Sequence, residues 1–496
     1  MERGYANQIL KINLSTKEIF EKPVSEEMKD VFVGGKGFDL KLLWDSVKGA
    51  DEPGGPTKWN DSENALCIAS GPLGGTPVYP GAGKSTVVTI SPLTGSVIDS
   101  NVGGHFGPFL KFSGFDALEI TGKSQKDVII FIDGIRNEVN IFDADEIIPN
   151  TFSGLSHEIS DILTRYFGEG RPQDISVVST GPGAKHALMG CANITLYDQR
   201  RKIVKSKQAG RGGTGTVLRN KGVMAIVARW DSVKMDTNNP VDIDALKKVA
   251  SKYAKEIRDL DPKQNEMSVV GTTHLVEYMN DFDLLPVNNF QFGKHPEARN
   301  LYADVFEKMF DKGFDGCWKG CPVACAHGIK NLELKTGPLK GQKVWVDGPE
   351  YETIAALGSN LGIFDPHFVA EMNFYCDTYG LDTISVGVSI AFAMEIEVSE
   401  DLRFGNKEAV ARVLHEMARG EGMGKIIGQG VRKMKEYFGR WCEKKILEDI
   451  GMESKGLEFS MYITKESLAQ QGGYGFALKG AQHDEAWLIK MDQLDN

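Results

Sequence analysis

Short apolar runs separated by glycine and proline turns fill the first half of the chain. Runs of this kind, rich in Val, Ile, Leu and Thr, predict β-strands. The predicted strands are QILKINL, NALCIASG, STVVTISP, ALEITGK, VIIFIDG, DISVVSTG and GVMAIVAR. One helical pattern, GLSHEISDILTRYFG at residues 154–168, interrupts them.

Beyond residue 236 the apolar positions recur with a period of about 3.6, which predicts helices. The helical segments are DIDALKKVASKYAKEIRDL, DPHFVAEMNFYCDTYG, SVGVSIAFAMEIE and NKEAVARVLHEMARG. We therefore predict an α+β protein in which a β-rich domain precedes mostly α-helical domains. The expected bounds are 1–236 for the β-rich domain, 237–430 for a helical domain and 431–496 for the start of a C-terminal helical domain.

The composition narrows the classes of function. Lys+Arg 57 against Asp+Glu 68 gives a net charge of −11, which argues against nucleic acid as the main partner. The longest apolar run, near TISVGVSIAFAM, is too short to span a bilayer, and the first residues carry no signal-peptide pattern. We therefore expect a cytoplasmic protein without a membrane partner.

Glycine clusters recur through the β-rich region, and several carry a cation nearby. The clusters are VGGKGFD, SGPLGGTPVYPGAGKS, NVGGHFGP, STGPGAK and AGRGGTG, and their cations are Lys36, Lys84, Lys185 and Arg211. Glycine turns can present successive backbone N–H groups to an anion. One polyanionic cofactor would explain the clusters together, whereas ordinary tight turns would explain each alone. None of them has the pattern of a P-loop or a dinucleotide-binding turn.

Three of the seven cysteines, Cys317, Cys321 and Cys325, fall within nine residues. Thiolates at this spacing favour an iron–sulfur cluster, which normally takes four cysteines. Zinc and buried thiols remain the alternatives, and His327 is close enough in sequence to be a spare ligand. Candidates for the fourth ligand are Cys376 and Cys442, while Cys67 and Cys191 lie in predicted strands and are expected in the core.

Carboxylates and one histidine have both a structural and a catalytic interpretation. Glu350 and Glu352 precede an apolar helical run, where they would suit the helix N-terminus or serve as general acid or base. Gly380 within CDTYGLDTIS is expected to cap one helix before the next begins. His483 stands beside two acids and a tryptophan in KGAQHDEAW, where the residues alone favour a structural role over a catalytic one.

Several segments, taken in order, resemble the aldehyde:ferredoxin oxidoreductase family, the tungsten enzymes with two pyranopterins. The segments are SGPLGGTPV…SPLTG, SNVGGHFGPFLKFSGFDALEITGKS, AGRGGTGTVLRNKGVMAIV, GPEYETIAALGSN and YGLDTISVG. The resemblance covers nearly the whole chain and implies that the β-rich domain forms a saddle for the pterins.

The resemblance also implies site residues. A tungsten or molybdenum bis-pyranopterin with Mg²⁺ would be held by Lys84, Asn101, Gly103, Gly104, Arg211, Gly212, Gly213, Asp377, Gly380, Leu381 and Asp382. A 4Fe–4S cluster would be held by Cys317, Cys321 and Cys325. Acid–base groups near the metal would be Glu352, Glu350 and His483.

The chain departs from the family pattern at several points. Its first cysteine gap is one residue longer than the usual C-x₂-C, and Lys84 stands where an arginine is common. The E-x-x-H metal motif is replaced by Glu371–Phe374, so a bridging iron is not expected. A second pterin motif, D-x-x-G-L-C, would fall beyond Asn496. We therefore expect that this chain lacks a C-terminal part or that another chain completes the site.

The expected function is oxidation of a small aldehyde to a carboxylic acid, with electrons passing through the cluster to ferredoxin or to an iron–sulfur subunit. The alternative within the resemblance is the tungsten subunit of a class II benzoyl-CoA reductase, which reduces an aromatic acyl-CoA. A scaffold relative without cofactor is disfavoured, because the Glu, His and Cys set is present. A homo- or hetero-oligomer is expected in either case.

Overall fold

The computed structural model describes residues 3–77, 79–149, 154–311, 313, 315–465, 467–485, 487–489 and 491. It divides into two compact units. The first unit comprises residues 1–185, 190–261 and 316–324, and the second comprises 186–189, 262–315 and 325–496. Residues 492–496, the end of the expected third domain, lie outside the described residues.

The first unit contains two six-stranded mixed sheets. One sheet has the order β2-β1-β6-β3-β4-β5, and its strands are β1 Gln8–Asn13, β2 Glu18–Pro23, β3 Leu66–Ala69, β4 Ser85–Ile90, β5 Val97–Val102 and β6 Ala117–Thr121. The other has the order β11-β10-β9-β12-β7-β8, with strands β7 Val128–Asp133, β8 Glu138–Asp143, β9 Ile175–Ser179, β10 Ala192–Asp198, β11 Ile203–Ala209 and β12 Val223–Arg229. The pairs β1–β6 and β7–β12 are parallel.

Period-2 alternation explains how these strands bury both faces. Leu10, Ile68 and Val87 of the first sheet pack with residues of the second sheet, such as Ile130, in one core. Their chain neighbours turn the other way, and Ile9, Cys67 and Val88 pack against helix residues such as Phe38 in another core. A third core lies between the second sheet and a helix over Ser156–Gly168. The unit is therefore layered helix, sheet, sheet, helix.

Helices of the first unit lie on these outer layers and in the connections. They are α1 Glu26–Phe32, α2 Lys36–Ser46, α3 Phe106–Phe112, α4 Ser156–Gly168, α5 Gly183–His186, α6 Thr214–Asn220 and α7 Ile243–Gln264, the last residues of α5 and α7 being counted with the second unit.

The second unit is mostly helical. Its helices are α8 Met267–Val270, α9 Leu275–Asp281, α10 Ala303–Glu307, α11 Tyr351–Leu357, α12 Pro366–Tyr379, α13 Thr383–Glu395, α14 Lys407–Arg419, α15 Gly424–Ile427, α16 Val431–Phe438, α17 Lys444–Ile450 and α18 Leu468–Phe476. Two small hairpins accompany them, β13 Gly328–Glu333 with β14 Lys343–Asp347, and β15 Glu453–Ser454 with β16 Leu457–Glu458. The predicted α+β class, β-rich first and helical afterwards, is confirmed.

Two observations refine the sequence-based organisation. The compact division counts residues 316–324, and hence Cys317 and Cys321, with the N-terminal sheets, whereas the expected boundary grouped them with the helical domain. Among the described residues, no helix is long and apolar enough to cross a membrane.

Candidate functional site

A cleft of about 380 Å³ opens in the first unit beside the connection from β3 to β4. We call it the glycine cleft. The residues that define it are the glycines Gly35, Gly71, Gly74 and Gly81 and the polar residues Lys84, Ser85, Thr86 and Asn101. Two residues implied to hold a cofactor, Lys84 and Asn101, therefore line one cavity.

The cations near the glycine clusters differ in whether they form an ion pair with a carboxylate. Lys36 lies 3.0 Å from Asp99, and Lys185 lies 3.9 Å from Asp127, so both have a carboxylate partner. Lys84 is exposed and, within the described part of the chain, forms no ion pair. Its charge is therefore available to an anion in the glycine cleft.

A carboxyl group lies behind the wall of this cleft. Asp39 of α2 is 0% exposed, and Thr86 Oγ1 donates to its Oδ2 at 2.5 Å. Its Oδ1 has no hydrogen-bond partner of good geometry among the described residues. Burial raises the pKa of Asp39 well above its ordinary value, against the opposing hydrogen bonds from Thr86 and Ala69. The folded protein thus favours the neutral acid at this position.

Side chains from other elements tie down the loop that lines the cleft. Lys111 of α3 is 4% exposed, and its Nζ donates to Gly71 O at 3.0 Å and to Pro72 O at 2.7 Å. Asn238 Nδ2 also donates to Pro72 O, at 2.7 Å. Burial lowers the pKa of Lys111 to about 8, while the nearby Asp116 opposes this shift.

The second implied phosphate turn precedes α6. Arg211 is 5% exposed, and its backbone N–H donates to Ser100 Oγ at 3.3 Å. Gly212 and Gly213 both have positive φ, +81° and +77°. A Cβ on Gly212 would also lie 2.2 Å from Ile98 Cγ1, so only glycine fits there. The turn therefore presents backbone and a buried guanidinium, which suits a phosphate.

The turn after Asn101 packs against the cysteine loop. A Cβ on Gly103 would lie 2.7 Å from Cys317 Cβ and 2.9 Å from Cys317 Sγ, so the thiol occupies the space that a side chain would need. Gly104 follows with φ +113°. The ring of His105 packs on Trp318 at 5.1 Å between centroids, and burial, with the Lys319 cation, lowers the pKa of His105 to about 4.

The predicted metal ligands are not gathered in this structure. Cys321 is 7% exposed, and Cys317 and Cys325 are partly buried. Within the described residues, no three His, Cys, Asp or Glu side chains stand close enough together to hold a metal ion. Cys376 is buried on α12, and Cys442 lies beyond α16. The thiols are the donors that an iron–sulfur cluster requires, and ligation of a cluster by them stays a prediction.

In the second unit the structure brings Glu352 and His483 together, although 131 positions separate them in sequence. Glu352 Oε1 lies 3.2 Å from His483 Nδ1. His483 Nδ1 is also 2.9 Å from Ser460 Oγ, and its Nε2 is 3.3 Å from Asp484 Oδ1. We call Glu352, Ser460 and His483 the acid–base cluster.

One carboxylate oxygen of Glu352 accepts a backbone hydrogen bond, and the other is buried without one in the described chain. Its Oε2 accepts a hydrogen bond from Met461 N at 2.9 Å. Among the described residues its Oε1 has no hydrogen bond of good geometry, despite its closeness to the imidazole. The side chain of Glu352 is 15% exposed, and that of His483 is 24% exposed, so the imidazole is the more accessible of the two groups. This arrangement suits proton transfer.

Tyrosines hold the segment that carries Ser460. Tyr351 Oη donates to Met461 O at 2.5 Å, and Tyr474 Oη donates to Ser460 O at 3.1 Å. Tyr462 stacks on Tyr351 at 5.3 Å between ring centroids. Burial, and then the charge of Glu352, raises the pKa of Tyr351 and of Tyr462 well above its ordinary value. Both phenols therefore stay neutral, and Tyr351 acts as a fixed hydrogen-bond donor to Met461 O.

Glu350 faces a different partner from Glu352. It is the N-cap residue of α11, and Glu352 lies in the first turn, which confirms the expected helix N-terminal position. Glu350 Oε2 accepts from both the hydroxyl and the backbone N–H of Thr272. The adjacent Gly271 packs against the backbone of Cys325 at 3.0 Å from its would-be Cβ. Glu350 is therefore engaged in holding this loop and does not join the acid–base cluster.

The expected pterin motif has a clear local structure. Gly380 ends α12 in the left-handed conformation, as predicted, and Leu381 N donates to Cys376 O at 2.8 Å. Asp382 caps α13, where its two oxygens accept from Ile384 N at 3.0 Å and from Ser385 Oγ at 2.6 Å. Asp377 Oδ2 accepts from Asn373 Nδ2 at 3.3 Å. Asp382 thus has a structural role whether or not it also meets a cofactor.

Glu371, in place of the family's metal motif, serves the fold. It is 1% exposed, and its Oε1 accepts from Lys335 N and from the backbone and hydroxyl of Thr336 at 2.6–2.9 Å. One oxygen of this carboxylate is therefore engaged in holding a loop, and the other lies 4.0 Å from His367 Nδ1.

Sequence reasoning did not single out Ser460, Asp39 or Trp318. Ser460 lies in an irregular segment without a motif, and Asp39 occupies a position that reads as the exposed face of a helix. Trp318 stood inside the cysteine loop, but nothing in the spacing indicated that its ring is buried.

Family models match nearly the whole chain. The model for the aldehyde ferredoxin oxidoreductase N-terminal domain matches residues 9–230, and the model for domains 2 & 3 of the same family matches residues 248–496.

Individual relatives point the same way. The tungsten-containing aldehyde ferredoxin oxidoreductase of Pyrococcus furiosus is 30% identical over 505 residues, which cover 99% of this chain and 76% of the relative. An aliphatic sulfonate oxidoreductase, WOR-like subunit, from the same organism is 27% identical and covers 97% of this chain and 75% of its own length. The solved active site complex BamBC of benzoyl coenzyme A reductase with 1,5-dienoyl-CoA contains a chain of similar fold, with a TM-score of 0.72 at 20% identity, over 93% of this chain and 67% of that chain.

Proposed function

Because the chain belongs to the aldehyde ferredoxin oxidoreductase family, we propose that it oxidises aldehydes to carboxylic acids and passes the electrons to a ferredoxin-type acceptor. It is an oxidoreductase of this tungstoenzyme type. The family implies a tungsten pyranopterin cofactor and usually a 4Fe–4S cluster. The reaction RCHO + H₂O → RCOOH + 2 H⁺ + 2 e⁻ requires proton acceptors as well as an electron sink.

The glycine cleft and the Arg211 turn fit a phosphate-bearing cofactor. Lys84 brings a charge without an ion-pair partner in the described chain, and the Gly212 turn brings backbone that no side chain covers. Asn101 and the Gly103–Gly104 turn would help to hold the same cofactor and a Mg²⁺ ion, which would neutralise phosphate charge there. Asp377 and Asp382 would accept from a pterin edge. When bound, the tungsten supplies a Lewis acid and a two-electron acceptor.

The observation that carries the proposal is the pairing of Glu352 with His483. Water that adds to an aldehyde carbon must lose protons, and an imidazole backed by a carboxylate is a suitable acceptor. The bond from Met461 N fixes Glu352, so that its Oε1 faces His483. His483 would accept the proton, and Glu352 would stabilise the imidazolium that forms.

The site needs an electron partner. The names of two similar proteins describe a subunit and a complex, so the proposal includes an iron–sulfur protein partner, free or as a subunit. It also includes a cytoplasmic location.

One experiment tests both the cofactor and the reaction. Tungsten, molybdenum and iron are measured by mass spectrometry in anaerobically purified protein, together with viologen reduction by a panel of aldehydes. We expect tungsten in the protein, and viologen reduction that is lost in Glu352→Gln but retained in the exposed control Glu408→Gln. Absence of both tungsten and molybdenum would overturn the proposal. Metal without aldehyde oxidation, but with activity toward a dienoyl-CoA thioester, would assign the chain to acyl-CoA chemistry instead.

A further inference from the structure

Trp318, the residue that follows the first cysteine of the loop, is buried in a core, which is unusual for a loop residue. Trp318 is 3% exposed and belongs to the core between the two sheets. Residues 316–324 are counted with the first unit, although the chain on either side of them belongs to the second. The buried tryptophan side chain thus holds the short segment 316–324 in the first unit.

Trp318 contacts the loop that lines the glycine cleft. Trp318 Nε1 donates to Thr76 O at 3.1 Å. A Cβ on Gly83 would lie only 2.3 Å from Trp318 Cβ, so the backbone of Gly83 is in direct contact with the tryptophan. Gly83 immediately precedes Lys84, which faces the cleft. The tryptophan therefore touches this loop at two points.

Cys317 makes the neighbouring contact, in the notch of Gly103 described above. Two consecutive residues of the cysteine loop therefore fill two glycine notches. One notch adjoins Lys84, and the other follows Asn101 by two positions. Neither notch has room for a side chain, so a shift of either glycine turn must move the cysteine loop.

We propose that Trp318 is a positioning residue that couples the cysteine loop to the glycine cleft, so that ordering either one orders the other. An indole N–H is a donor with a single hydrogen, and here it is given to Thr76 O. Coupling of this kind is reciprocal: an anion that orders the cleft favours the ordered cysteine loop, and a ligand that orders the cysteine loop favours the ordered cleft.

Hydrogen exchange followed by mass spectrometry on the full chain tests this in both directions. Gly83→Ala alters the cleft side, and the readout is exchange in the peptide covering 316–324. Trp318→Phe keeps a ring but removes the donor, and the readout is exchange around Thr76 and Lys84. In Trp318→Phe we expect about fivefold faster exchange, the factor that follows from losing one net hydrogen bond. In Gly83→Ala we expect faster exchange in 316–324, because the added Cβ would press on Trp318.

Gly71→Ala is the matched control. Gly71 lines the same cleft, but a Cβ there would meet nothing within 4 Å. Exchange in 316–324 should stay at the wild-type rate in this variant. If Gly83→Ala destabilises the protein as a whole, the milder Trp318→Phe decides alone. Changes confined to the substituted segment in both variants would overturn the coupling.

A third arm uses inorganic pyrophosphate as the probe and rests on the proposed function, since it assumes that the cleft takes phosphate. Pyrophosphate should slow exchange in 316–324 of the wild-type protein and have no such effect in Trp318→Phe. Protection of the cleft without protection of 316–324 would refute the coupling and leave the cleft assignment intact. No protection anywhere, with the two variants behaving as expected, would refute the cleft assignment and support the coupling.

Discussion

Replacing Asp39 by asparagine tests whether the buried acid behind the glycine cleft is neutral. Asparagine has nearly the same shape and can keep the contact with Thr86, so the change removes a titratable group and little else. Asp39 is 0% exposed, and burial raises its pKa well above 3.8. The folded protein therefore binds a proton that the unfolded chain gives up at lower pH.

The sign and size of the effect follow from proton linkage. Where the folded state binds more protons than the unfolded state, the free energy of unfolding falls as the pH rises. One such group gives about 1.4 kcal/mol per pH unit between its unfolded and folded pKa values. Relative to Asp39→Asn, the wild-type protein should lose stability at about this rate from pH 3.8 upward, until the folded pKa is passed.

Guanidinium unfolding of both proteins, in steps of one pH unit from about pH 4, measures the difference. Asp30→Asn on the adjacent helix α1 is the control, because Asp30 is exposed and solvated in both states. The pH dependence of stability for Asp39→Asn is compared with that of this control. A flat profile for Asp39→Asn would mean that burial does not raise the pKa of Asp39. A rising profile would mean that the hydrogen bonds from Thr86 and Ala69 outweigh desolvation.

Three further predictions concern other parts of the molecule. Glu352→Gln should lower kcat about 10²- to 10⁴-fold, because the charge beside His483 is gone. Tungsten content should stay unchanged, because the amide oxygen can still accept from Met461 N. Steady-state kinetics and metal analysis check the two results. Gly103→Ala should lower thermal stability by about 1 to 3 kcal/mol and reduce iron content, because its Cβ would press on Cys317. Gly71→Ala should change neither quantity. Calorimetry and iron analysis measure both variants, and identical behaviour of the two would contradict the prediction. Lys111→Met removes a lysine whose pKa burial lowers to about 8. Between that pH and 10.5 only the unfolded wild-type chain still binds the proton, so the wild type's free energy of unfolding should rise by about 1.4 kcal/mol per pH unit relative to the variant. A difference in denaturant unfolding that stays constant with pH would disprove this.

The sequence predicted every inner strand except β10 and missed the outer ones. Every predicted strand lies inside a sheet, where both faces are buried and the apolar run is continuous. All four edge strands, β2, β5, β8 and β11, were missed. Most residues of β2, β8 and β11 are exposed or half exposed, as in EIFEKP of β2 and IVKSKQA of β11, because an edge must discourage further pairing. Hydrophobic periodicity carries no signal for such strands.

For the candidate site, sequence alone identified residue types but not partners. Resemblance placed both Glu352 and Glu350 near a metal, yet the chain gives them different neighbours, His483 for the first and Thr272 for the second. Their separation by two positions on a helix turn sends them in different directions. The cysteine spacing likewise fixed which thiols are close in sequence, but the positive φ of Ala324 shows how far the loop backbone departs from any regular geometry.

The division of the chain has a consequence for cutting it into parts. A fragment that ends at residue 236 would contain both sheets and the glycine cleft, but it would lack Trp318, which fills the core between the sheets. Thr76 O would lose its indole donor, and the notches at Gly83 and Gly103 would stand empty. Loss of a buried tryptophan costs about 3 to 5 kcal/mol, a large share of what holds a domain together. The N-terminal sheets therefore share their core with a segment that lies about eighty residues beyond the end of this fragment, and the fragment should be less stable than the same sheets in the full chain.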